Sequence, residues 1–91
     1  MKTIYKYPIE IITDTFTIAI PIDAEILTIQ MQYETPCIWA IVETESQPEN
    51  RYFEIIGTGN PFPEESIERK YIGTFQLYGG GLVFHLFERL Q

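Results

Sequence analysis

Apolar side chains recur at a spacing of two along much of the chain: Phe16, Ile18 and Ile20, then Leu27, Ile29, Met31 and Tyr33 set against Thr28, Gln30 and Gln32. That is the period of a strand with one face in a core and the other in water. PCIWAIVE, residues 36–43, is apolar at both parities. It reads as a strand covered on both sides, running through the middle of a sheet. RYFEIIGTG, residues 51–59, supplies another strand, while PIDAE (21–25) and TESQPEN (44–50) carry the Pro, Asp, Asn and Ser of turns. The pattern predicts an all-β fold: a single domain over residues 1–91, built as a small antiparallel β-sandwich or partly open barrel of six to seven strands. One stretch departs from it. PFPEESIERK places Pro63 before two glutamates and ends on Arg69 and Lys70, an order that predicts one short helical turn at about 63–69. Ile67 is its only apolar residue after Phe62, too little for a packed helix.

The C-terminal stretch YIGTFQLYGGGLVFHLFERL sets three glycines between two apolar runs. A phosphate-cradling glycine loop needs a helix after it, and LVFHLFE is strand-like. A hairpin with an even-length tip, either Gly79-Gly80 or the four residues Tyr78 to Gly81, places Leu77 opposite Leu82 and Phe75 opposite Phe84. Gln76 then meets Val83, and Thr74 meets His85. A three-residue tip would mix polar and apolar partners, so the pattern selects the even loop. The glycines then serve positive φ.

Composition narrows the setting. Ninety-one residues with 45% hydrophobic content suffice for one modest core. Thirteen acids against six bases give a net charge of −7. Such a surface repels nucleic-acid phosphates and anionic lipid, and favours basic proteins or peptides as charged partners. Lys6, Pro8 and Glu10 interrupt the opening stretch where a signal peptide needs an apolar run. The longest uncharged stretch, Tyr71 to Phe87, contains Thr74, Gln76 and the glycines and falls short of the ~20 apolar residues of a spanning helix. A soluble, cytoplasmic protein is expected, with neither nucleic acid nor membrane as partner.

Candidate chemistry is sparse. His85 is the only histidine and Cys37 the only cysteine, so the metal-ligand patterns fail and no cofactor is implied. His85 is expected to be half-buried and hydrogen-bonded opposite Thr74. Cys37 follows Pro36 in an apolar strand and reads as a small buried hydrophobe beside Trp39. No catalytic constellation is legible, which points away from an enzyme. The segment GTGNPFP, 57–63, is the leading candidate for ligand or partner binding. Gly57 and Gly59 can present backbone N–H groups, Asn60 and Phe62 lie beside them, and Arg51, Arg69 and Lys70 are the bases expected nearby. The last strand is apolar on both faces, so Leu82, Val83, Phe84, His85 and Phe87 are the expected interface of a homo-oligomer.

With these stretches laid out, the chain resembles a family of small, uncharacterised proteins of tailed bacteriophages and prophages. The resemblance spans nearly the whole chain and is carried by MKTIYKYPI, TPCIWA, GTGNPFP, YIGTFQ and LVFHLFE. It implies an accessory protein acting in the cytoplasm of a bacterial host, and it transfers no catalytic residue. The leading expectation is a binding protein that inhibits or sequesters a host factor: a defence or regulatory protein or, as the weaker option, a small nucleotide signal. A minor virion structural or decoration protein is the alternative. A small hydrolase using His85, with Cys37 or a carboxylate, is the second.

Overall fold

The computed structural model describes residues 1–90, in which seven strands carry the fold: β1 (Lys2–Pro8), β2 (Thr15–Pro21), β3 (Glu25–Gln32), β4 (Thr35–Glu43), β5 (Pro48–Gly57), β6 (Arg69–Leu77) and β7 (Leu82–Arg89). They form a three-stranded sheet, β1-β4-β3, and a four-stranded sheet, β2-β5-β7-β6, with antiparallel pairing throughout. The expected all-β fold is met. Of the two architectures left open, the sheets form the open sandwich and do not close into a barrel.

Alternation decides which side chains meet between the sheets. Ile38, Ala40 and Val42 of β4 and Ile29 of β3 face Ile20 of β2, Phe53 and Ile55 of β5, Phe75 of β6 and Leu86 of β7. Removing side chains such as Phe53 or Leu86 from water stabilises the fold by about 1.5–3 kcal/mol each. Phe16 extends this layer by stacking on Phe53 at 5.4 Å.

The hairpin register is the expected one. Phe75 pairs with Phe84, Leu77 with Leu82, Gln76 with Val83 and Thr74 with His85. The tip is the four-residue option, with Tyr78, Gly79 and Gly80 all at positive φ and a hydrogen bond from the Gly81 N–H to the Tyr78 carbonyl.

Three expectations are corrected. Leu27 does not share a face with Ile29 and Met31, because a bulge between Ile26 and Thr28 adds a residue and leaves Leu27 exposed. Strand β4 is central, but only its inner face meets the other sheet. On its outer face Cys37 is buried while Trp39 and Ile41 are half-buried, and the cover comes from neighbouring side chains. Lys6 of β1 reaches across Cys37 to hydrogen-bond Gln32 of β3. Finally, residues 63–68 form no helical turn; the 3₁₀ turn among the described residues is at Tyr78–Gly80. Arg69 already begins β6 and must be extended. Its guanidinium turns back onto the Glu65 and Ile67 carbonyls at 3.4 and 3.5 Å, holding the segment as a strap.

A second bulge, at Ile72, turns Gly73 inward opposite Leu86. A Cβ at Gly73 would lie 2.8 Å from Ile29 Cγ2, so glycine lets β6 of one sheet close onto β3 of the other. Gly73→Ala is therefore expected to destabilise the domain by about 1–3 kcal/mol through overpacking. Urea titration should show a lower midpoint at an unchanged slope.

Candidate functional site

The bases expected around Gly57 to Phe62 do not converge there. Arg51 lies on the inner face of β5, in register parity with Phe53 and Ile55. It pairs through two nitrogens with Glu88 of β7 and donates to the Ala24 carbonyl at 2.9 Å, tying the end of the sandwich together. Hydrogen bonding to Glu88 raises its guanidinium pKa further. Arg69 lies on the outer face of the same sheet, so the sheet separates the two arginines. Its Nε donates to Glu54 at 2.6 Å, with both side chains nearly buried at 7% and 5% exposure. Phe62 lies over the guanidinium at 5.2 Å and meets Phe87 edge-on at 5.7 Å. Glu65 of the strap lies 3.7 Å from Arg69 and 3.5 Å from Arg89. Lys70 is exposed.

The 57–63 loop is thereby a lid on an ion pair. Gly57 leaves room for the Asn60 side chain, which a Cβ would meet at 2.8 Å, and Gly59 takes φ of 86° to turn the chain. The recess under the loop is about 110 Å³ and is bordered by Asp14 and Glu54, with no basic side chain in its wall. That lining disfavours a phosphate.

His85 sits in a hydrogen-bond chain on the same outer face. The Thr58 hydroxyl donates to the Val83 carbonyl at 3.2 Å and so accepts from His85 Nε2 at 2.7 Å. The other ring nitrogen, Nδ1, lies 2.9 Å from the Thr74 hydroxyl, which also shares a hydrogen bond with the Tyr71 hydroxyl. Both ring nitrogens are engaged within the chain. Cys37 lies on the outer face of the other sheet, so the Cys37–His85 pairing that one hydrolase alternative requires is not assembled. Among the described residues no cluster of three His, Cys, Asp or Glu side chains is placed to hold a metal.

Of the expected oligomer residues, Phe84 packs against the core and Leu82 is exposed at the hairpin end. Val83, His85 and Phe87 are half-buried on the outer face, and Phe87 is covered by Phe62 and by Tyr71 at 5.4 Å.

Another concavity lies at one end of the sandwich. A trough of about 670 Å³ runs between the β1–β2 connection, the β3–β4 turn and the β6–β7 tip. Ile9, Ile11, Met31 and Leu77 supply its apolar lining, and Glu10 and Glu34 its charge. Two tyrosines border it, Tyr33 at 96% exposure and Tyr78 at 84%. Both are held at left-handed φ, 56° and 53°, where a bulky side chain is disfavoured and glycine or asparagine preferred. Alternation reads Tyr33 as a strand residue and turn chemistry points to the glycines after Tyr78, so sequence reasoning misses both tyrosines. The available signal was a large aromatic ring at each hairpin tip, where a small turn residue fits better.

Residues 1–91 match the family described as Domain of unknown function (DUF7352). The chain belongs to that family. The expected membership in a family of small, uncharacterised domains is thus met over the full length. No curated protein and no solved structure matches the chain. What a DUF7352 domain of this sequence does must therefore be argued from its own surface. No helix among the described residues is long and apolar enough to cross a membrane.

Proposed function

We propose that this domain is a phage accessory protein that acts without catalysis, binding a host protein in the bacterial cytoplasm and inhibiting or sequestering it. The end trough is its recognition site. One observation carries the reading: Tyr33 and Tyr78 are almost fully exposed while fixed in a backbone conformation that their side chains make unfavourable. Strain of this kind persists where the surrounding structure enforces it, and it gathers at binding and switch sites. Exposed tyrosines supply large contact area with few side-chain rotors to order, as in other binding surfaces. The phage setting rests on the sequence resemblance.

A protein target fits better than a nucleotide signal. The trough carries two carboxylates and no base in its lining, and the Arg51 and Arg69 guanidinium groups are engaged with Glu88 and Glu54. The test is affinity capture from phage-infected host cells with the wild type and with Tyr33→Ala/Tyr78→Ala, followed by rebinding of each purified candidate. A host protein that rebinds the wild type and not the double variant is the expected result. Recovery of the protein only in assembled particles would favour the virion reading.

A further inference from the structure

We propose that the occupant of the end trough is an extended protein segment in which Arg or Lys alternates with apolar residues. The inference rests on the trough being the recognition site and adds the chemistry of what it takes. Charge complementarity supports it. Glu10 and Glu34 are exposed carboxylates that both line the trough, one on the β1–β2 connection and the other in the β3–β4 turn. No lysine or arginine lines the space between them. The described ion pairs of the chain involve other carboxylates, Glu43, Glu45, Glu54, Glu65 and Glu88, so Glu10 and Glu34 have no internal cation among the described residues.

The rings of Tyr33 and Tyr78 extend the match. A tyrosine face attracts an ammonium or a guanidinium, most strongly guanidinium, and a cation held between a ring and a carboxylate gains from both. The apolar floor asks for the other half of the pattern. A segment in extended conformation sends successive side chains to opposite sides. Apolar residues can then enter the trough toward Ile9, Met31 and Leu77 while the cations lie toward the carboxylates and rings. An acidic segment would meet two uncompensated carboxylates and a net charge of −7.

The experiment uses fluorescence anisotropy with three labelled decapeptides of equal leucine content, alternating with arginine, glutamine or glutamate. They are titrated with the wild type, with Glu10→Gln/Glu34→Gln, and with Glu45→Gln/Glu49→Gln as a control of equal charge change outside the trough. The wild type is expected to bind the arginine peptide at least about tenfold more tightly than the glutamine peptide. That preference should vanish in the trough variant and persist in the control. Equal binding of the arginine and glutamine peptides overturns the proposal. So does loss of the preference in both variants, since general surface charge then accounts for it. If the arginine peptide fails while a purified host protein still binds in a manner dependent on Tyr33 and Tyr78, the occupant is misidentified and the binding site stands. If Tyr33→Ala/Tyr78→Ala leaves both ligands bound, the site itself is wrong.

Discussion

Arg69→Ala should destabilise the domain by about 3–5 kcal/mol, because it leaves the Glu54 carboxylate buried without its counter-charge. Glu54 and Arg69 are both nearly buried, and a 91-residue domain has only about 5–14 kcal/mol of net stability to lose. The strap should also come loose. Arg69 holds the Glu65 and Ile67 carbonyls, pairs with Glu65 and supports the Phe62 ring, so these contacts go together. Urea denaturation followed by tryptophan fluorescence measures the loss, and amide exchange over residues 58–68 reports the strap. If the single variant does not fold, Glu54→Leu/Arg69→Met settles the matter. Replacing both charges with apolar groups of similar bulk removes the need for compensation, and the double variant is expected to recover most of the lost stability. A ligand-binding arginine would behave differently: its removal would leave the midpoint within about 0.5 kcal/mol of wild type, the usual range for surface changes.

This arginine shows where sequence reading stopped. Strand content and the pairing of Phe75 with Phe84 follow from side-chain alternation, and the central position of β4 from its apolar residues at both parities, all of it written locally. The even hairpin tip follows from keeping Phe75, Leu77, Leu82 and Phe84 on one face. The partner of Arg69 is not local: Glu54 is fifteen residues away and reaches it only because β7 sits between β5 and β6. Separation along the chain likewise hid the fact that Arg51 and Arg69 occupy opposite faces of one sheet. The bulge at Leu27 was hidden as well: it shifts the inward parity from Ile26 to Ile29 and Met31, and an apolar Leu27 at the extra position masks the shift. The trough was illegible for a related reason. Its three walls come from connections far apart in the chain, and only the folded sandwich brings Glu10, Tyr33 and Tyr78 to the same end.

Those tyrosines carry the second large effect. Tyr33→Gly/Tyr78→Gly is expected to raise stability, by about 0.5–1 kcal/mol at each site, because glycine adopts left-handed φ without the penalty a side chain brings. The same change should weaken partner binding by about 4 kcal/mol, close to a thousandfold, if each ring acts as a central contact of about 2 kcal/mol. Opposite signs for stability and binding are the signature of residues retained for recognition at a cost to folding. Purely structural tyrosines would lower both, and passive surface residues would change neither.

The most direct test of the account sets the trough against the loop. A purified host protein recovered with the wild type is titrated by isothermal calorimetry against Tyr33→Gly/Tyr78→Gly and against Asn60→Ala/Phe62→Ala, with circular dichroism confirming that both variants are folded. The account predicts that the trough variant loses binding by about a thousandfold while the loop variant binds within about threefold of wild type. Binding that survives in the trough variant and disappears in the folded loop variant would contradict it.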